Sequence, residues 1–411
     1  MVASGFRAVE RCDILGVAPF SDGPDFLFRP YLGPGHVAAI RQVADWMHEA
    51  GMTTRIDAAG NLVGRYEGHV DKALIIASHI DSVRDGGKYD GPLGVMLGIE
   101  CVAALHDGGR RLPFAIEVYA FGDEEGSRFP AAMLTSRAVA GQIEPSALEV
   151  TDREGVTLME ALIALDLPFA NFLGARRDPS NLIGYLEAHI EQGPVLEAEG
   201  LALGVVTAIA AQLRFEVTMT GVAGHAGTNS MALRKDALTA AAEAILAIER
   251  IARAGPDDLV ATVGRMVVGP GAPNVVPGRV TFSIDIRSGA ESVRDACAAE
   301  VRRTLTEIAA GRGIGLDIHL VHDLPASPCD SGFMALLSEA VEAGGQPARQ
   351  IVSGAGHDAM VFTGITPTAM LFIRCKDGIS HNPLESVEAS DADAALTAMR
   401  LFIDKLEAKY V

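Results

Sequence analysis

Leu74-Ile75-Ile76-Ala77-Ser78-His79-Ile80-Asp81 is an apolar run that stops abruptly on an imidazole and a carboxylate. Leu74 to Ser78 fits a buried strand that ends at His79. Downstream, Pro92 to Leu105 reads as a helix, with Pro92 tolerated in its first turn. Phe114-Ala115-Ile116-Glu117-Val118-Tyr119-Ala120-Phe121 is the next strand, and it runs into Glu124-Glu125. A β-α-β order implies parallel pairing, and in parallel sheets sites form beyond the carboxyl ends of the strands. Both polar clusters fall at such ends, so the fold class expected is α/β with a site on that edge.

Composition narrows the partners. At 411 residues the chain exceeds what one core usually covers, which predicts two domains. A formal net charge of −19 argues against nucleic acid or an anionic membrane surface. A small anionic substrate stays compatible if metals and one or two arginines make the local field positive. The five cysteines, Cys12, Cys101, Cys297, Cys329 and Cys375, are scattered and lack a Cys-x-x-Cys spacing. They read as ordinary thiols of a reducing compartment rather than a disulfide framework or a zinc-thiolate site. Met1 to Asp13 has no apolar signal core, and no run is long enough to span a membrane; the expected location is cytoplasmic.

From about Gln212 the pattern changes. Leu213 to Thr220 reads as a strand, Met231 to Ala254 as a helix, Leu259 to Val268 and Arg279 to Arg287 as strands. Glu291 to Ala310 is a second helix and Leu316 to His322 a last strand. The order β-α-β-β-α-β is ferredoxin-like, with two helices on one face of an antiparallel sheet. The expected organisation is a first domain of residues 1–211 and 326–411 interrupted by an insert of residues 212–325. Strand Thr368 to Ile373 leads toward His381, so the C-terminal part rejoins the first domain.

Residues two apart on a strand face one side, so His79 can ligate a metal while Asp81 orients its ring. Adjacent carboxylates repel, and Glu124-Glu125 in a tight turn calls for a cation or a proton-transfer role. Each position has a plainer reading: Asp90-Gly91 as a turn and cap, Glu124-Glu125 as a solvated acidic turn, His189 as a satisfied buried histidine, His381 as a solvated loop residue. Together they make an imidazole and carboxylate set suited to two metals sharing one carboxylate, with a spare Glu as base.

These strings carry a resemblance. Ala77 to Val83, Gly86-Gly87-Lys88-Tyr89-Asp90-Gly91, Glu124-Glu125-Gly126-Ser127-Arg128-Phe129, His189-Ile190-Glu191-Gln192-Gly193-Pro194, Gly224-His225-Ala226-Gly227-Thr228, Asn274 to Gly278, Gly354 to Ala359 and Gly378-Ile379-Ser380-His381 resemble the amidase/carbamoylase branch of the M20 metallopeptidase superfamily. The resemblance runs in order from roughly residue 30 onward. It implies a mixed-sheet α/β catalytic domain of the phosphorylase/hydrolase-like metallopeptidase type, with the ferredoxin-like α+β insert as lid and dimerisation domain. It implies His79, Asp90, Glu125, His189 and His381 as ligands, Asp90 bridging, Glu124 as general base and Asp81 behind His79. Gln192, His225, Asn274, Arg287, Gly356 and His357 would hold the substrate. The departures are Asp123 where Glu is usual, Ala188 where Leu is common, and Ala226-Gly227-Thr228-Asn229-Ser230-Met231 after His225, which bears on how that ring is presented.

The activity expected is hydrolysis of a ureido C–N bond in a small carboxylate, with allantoate first, giving ureidoglycine, ammonia and CO₂. An N-carbamoyl-L-amino acid or N-carbamoyl-β-alanine is the alternative, since both offer the same carboxylate and the same carbonyl. Arg287, at a strand end, suits a substrate carboxylate through its bidentate fork, or else pairs with Glu291. Two divalent ions are expected, Zn²⁺ or Mn²⁺, with Co²⁺ also accepted by such ligands. A non-catalytic small-molecule sensor of this fold is the remaining alternative; it would be expected to lose a ligand or the base, and this chain keeps them.

Overall fold

A computed structural model describes residues 3–167 and 169–410. The chain forms two compact units. The first runs to Thr207 and takes in Cys329–Ile351 and the chain from Ala355 onward; the second is Ala208–Pro328 with Val352–Gly354. The second unit extends past the 212–325 span expected for the insert. The reason is local: strand Leu203–Ile209 is separated from strand Ala211–Thr220 by Ala210 alone, with no linker at residue 212.

The first unit is built on a mixed sheet. Thr53–Ile56, Leu62–Tyr66, Ala115–Phe121, Ala73–His79, Leu182–Ile190, Thr368–Ile373 and Leu203–Ile209 are neighbours in that order. Ala73–His79 pairs parallel with Ala115–Phe121 and with Leu182–Ile190, which pairs parallel with Thr368–Ile373. Every residue of these central strands is buried, which is why they read as near-continuous apolar runs without alternation. Helix Pro92–Asp107 is buried on nearly all sides and packs into the same core as Gly5–Leu15 and Ala389–Glu407. Its one interior charge, Glu100, is met by Arg7 and Arg11. The four parallel strands end on one edge of the sheet, and Phe372 lies opposite His189, so the last strand does rejoin the first unit.

In the second unit Met266–Gly269, Arg279–Ser288, Ala211–Thr220 and Gly315–Leu324 form an antiparallel sheet, with Val260–Thr262 also on Arg279–Ser288. Phe215, Val217 and Met219 with Val280, Phe282, Ile284 and Ile286 face helices Ala237–Arg253 and Glu291–Arg312 in one core. Two expectations need correcting. Helix Met231–Ala254 begins only at Ala237, because the Asp236 carboxylate caps Leu238 and Thr239. Strand Leu259–Val268 is broken around Gly264, where Ser283 Oγ, not a strand carbonyl, takes the Arg265 N–H. All five cysteines are free and buried. Among the described residues no helix is long and apolar enough to cross a membrane.

Candidate metal centre

The edge where the parallel strands end gathers the polar residues. His79 closes its strand, His189 is next to last in Leu182–Ile190, Glu124 and Glu125 follow Phe121, and His381 lies in the loop after Ile373. Asp90 precedes Gly91, the N-cap of helix Pro92–Asp107. His79 Nε2 and His189 Nε2 lie 3.6 Å and 3.1 Å from Asp90 Oδ1, and 3.5 Å from each other. His381 Nε2 lies 3.3 Å from Asp90 Oδ2 and 3.4 Å from Glu125 Oε1. One carboxylate therefore faces a pair of imidazoles with one oxygen and, with the other, a third imidazole that also meets Glu125.

The ring tautomers fit cations. His79 Nδ1 is 3.2 Å from the Asp81 carbonyl oxygen, and His189 Nδ1 is 2.9 Å from that of Ile190. Carbonyls only accept, so each neutral ring keeps its hydrogen on Nδ1 and turns an Nε2 lone pair inward, as a metal ligand requires. Burial opposes charging of His79, yet hydrogen bonds to Asp81 and Asp90 outweigh it and push its pKa well up. Burial likewise opposes ionisation of Asp90, but His189, His381 and His79 hold it well below the usual carboxylate range. A cation in this cluster would take the place of those ring protons.

Asp81 stands behind the site. Its Oδ1 is 3.4 Å from His79 Nδ1, and its two oxygens accept the Glu124 and Glu125 N–H groups at 3.2 Å each. Glu124 is buried with Oε2 at 4.0 Å from His79 Nε2. Burial pushes its carboxyl well above the ordinary range, and the like charges of Asp358, Glu125 and Asp81 add to this. Burial also pushes Glu125 up to about 7, with Asp90 contributing. Crowded buried carboxylates of this kind are what a divalent ion compensates.

Gly91 admits the His79 ring. Its φ is +85°, and any Cβ there would lie 2.5 Å from ring atoms of His79. Gly91→Ala is expected to cost about 1–3 kcal/mol of folding stability, seen as a lower unfolding midpoint in denaturant. An unchanged midpoint would show that the turn relaxes without strain.

Gln192, at φ +56°, donates through Nε2 to Asp90 Oδ2 at 2.9 Å and to Ser380 Oγ at 3.1 Å. Its Oε1 is buried without a protein partner among the described residues. His357 packs edge-on against His189 at 4.4 Å, and burial holds its pKa well down; Gly356 precedes it. Two buried acids were not singled out from the sequence. Glu187 accepts from Ser78 Oγ, Tyr185 Oη and the Ala359 N–H, and Glu385 lies beneath Asp90. Glu187 had a signal, since it shares a strand face with His189 two residues on.

His225, Asn274 and Arg287 belong to the second unit. Gly224–His225 pairs with Val275–Val276, and the Asn274 carbonyl accepts the Ala226 N–H at 2.9 Å, so His225 and Asn274 share one short ladder. The Gly227 N–H donates to His225 Nδ1 at 3.0 Å, which puts the hydrogen of the neutral ring on Nε2. The pairing of Arg287 with Glu291 is not found. Arg287 grips Asp285, Nε to Oδ1 at 2.8 Å and Nη2 to Oδ2 at 3.0 Å, because i and i+2 share a strand face. Glu291 instead accepts the Ala326 N–H.

Imidazoles and carboxylates gathered beyond the carboxyl ends of parallel strands form groups that could hold metal ions on an α/β fold. Residues 75–405 match peptidase family M20/M25/M40, and the chain belongs to that family. It is 40% identical to a protein named probable allantoate deiminase from Oryza sativa subsp. japonica, over 94% of this chain and 85% of that one. It is 41% identical to the N-carbamoyl-L-amino acid amidohydrolase of Geobacillus stearothermophilus, over 84% of each chain. Among solved structures, the hydantoinase/carbamoylase family amidase from Burkholderia multivorans matches with a TM-score of 0.91 at 34% identity, covering 98% of this chain and 97% of that one. The membership expected from the Glu124–Phe129 and His189–Pro194 strings is borne out.

Proposed function

We propose that this chain is an amidohydrolase that opens a ureido C–N bond in a small carboxylate, with allantoate as its substrate and an N-carbamoyl-L-amino acid as the second choice. The observation that carries this reading is the two-faced Asp90 carboxylate, with His79 and His189 on Oδ1 and His381 on Oδ2, Glu125 being the second acid beside His381. His79, His189 and Asp90 would hold one divalent ion, and Asp90, Glu125 and His381 a second, with Zn²⁺, Mn²⁺ or Co²⁺ compatible. Such ions supply polarisation of the carbonyl and a lowered pKa for water.

Glu124, a buried carboxyl beside this cluster, takes the proton from the attacking water and passes it to the leaving nitrogen. The carbonyl carbon gains the water oxygen and loses one nitrogen, and the carbamic acid so formed breaks its second C–N bond to give CO₂ and the other amine; from allantoate and one water the products are ureidoglycine, ammonia and CO₂. Gln192 Oε1 accepts a ureido N–H. The Nε2–H of His225 and the Asn274 amide donate to the developing oxyanion. Arg287, held by Asp285 through Nε and Nη2, offers its remaining N–H groups to the substrate carboxylate, and Gly356 and His357 line the substrate's place. The second unit acts as lid and as the contact between two copies, in a cytoplasmic homodimer. Allantoate comes first because the allantoate deiminase relative aligns over more of the chain than the carbamoylase does.

The test is ammonia release by Mn²⁺-loaded protein on allantoate, N-carbamoyl-L-amino acids and N-carbamoyl-β-alanine side by side. The highest kcat/KM is expected on allantoate. Turnover of the carbamoyl compounds alone would overturn that choice, and turnover of none would overturn the reaction class.

A further inference from the structure

Glu385 lies outside the proposed ligand set and is 5% exposed. Its Oε1 accepts the N–H groups of Tyr89 at 2.8 Å and of Asp90 at 3.1 Å. Its Oε2 is 3.2 Å from Ser380 Oγ. Ser380 Oγ in turn lies 2.7 Å from Asp90 Oδ2 and accepts from Gln192 Nε2 at 3.1 Å. A hydroxyl carries one hydrogen, which Ser380 Oγ shares between Asp90 Oδ2 and Glu385 Oε2. Glu385 thus ties together the peptide that presents Asp90 and the loop that presents His381, segments 296 positions apart in sequence.

The chain makes room for this brace. A Cβ on Gly87 would lie 2.1 Å from the carboxyl carbon of Glu385, so any side chain at 87 would displace it. The need for a brace differs between the two sides of Asp90. His79 and His189 are fixed in buried strands. The His381 side chain is half exposed and stands on a loop at φ +54°.

We infer that Glu385 is a positioning residue for the cation site formed by Asp90, Glu125 and His381. It acts through Asp90 and Ser380, and touches neither ion nor substrate. The inference rests on the two-ion reading of the centre.

Calorimetric titration of the metal-free protein with Mn²⁺ tests it, with circular dichroism confirming that each variant is folded. The wild type is expected to take two ions. Glu385→Ala should bind one of them about 10–100-fold more weakly, the cost typical of losing a residue that orients a ligand, and leave the other unchanged. Glu385→Gln should restore binding, because its Oε1 still accepts both N–H groups and its Nε2 donates to Ser380 Oγ. Gly87→Ala should reproduce Glu385→Ala while leaving Glu385 in the chain, and it decides the matter if Glu385→Ala does not fold. Two ions bound by Glu385→Ala or Gly87→Ala as tightly as by the wild type, or both weakened equally, would overturn the positioning role. A wild type that takes fewer than two ions would overturn the two-ion reading, and this inference with it.

Discussion

Glu124→Gln is expected to retain its divalent ions and to lose about 10³–10⁴-fold in kcat, the upper part of the range for general acid–base catalysis. The substitution keeps the shape of the side chain and removes only its capacity to hold a proton. The neighbouring structure does not depend on the carboxylate, since Asp81 holds this turn through the Glu124 and Glu125 N–H groups. Steady-state kinetics paired with an elemental count of bound metal separates the two roles. An active variant would remove Glu124 from the chemistry; an inactive variant stripped of metal would make it a ligand.

Asp90→Asn is expected to weaken binding of both ions together. The two oxygens of Asp90 face His79, His189 and His381. The amide removes the charge and turns an N–H₂ toward one side, where it donates instead of accepting. The loss should exceed about 10²-fold in affinity, the upper end seen for groups one step removed from a metal. Ligand binding to the native state raises the unfolding temperature by mass action. Added Mn²⁺ should therefore raise the melting temperature of the wild type and leave that of Asp90→Asn unmoved. A variant that keeps one ion at wild-type affinity would show that the carboxylate serves one side only.

What the sequence reveals here is what is local. The run Leu74–Ser78, the helix after Pro92 and the break at Glu124 are each legible from apolar patterning, and they place both clusters at strand ends. Residues whose meaning depends on a distant partner are not legible in this way. Glu385, after Asn382-Pro383-Leu384, reads as a surface acid until the fold buries it beneath Tyr89 and Asp90. Gly264 lies inside a stretch that reads as one strand, and the break there depends on the Ser283 side chain of the facing strand, which takes the Arg265 N–H. Arg287 is different: its partner Asp285 was two residues away on the same face, and strand geometry alone names it ahead of Glu291.

The central claim is that a two-ion centre built on Asp90 drives ureido hydrolysis. It is tested most directly by titrating the chelator-treated protein with Mn²⁺ while following ammonia release from allantoate. The account predicts no release before metal is added and a rise that levels off at two equivalents per chain. Release from the metal-free protein, or a plateau reached at one equivalent, would contradict it.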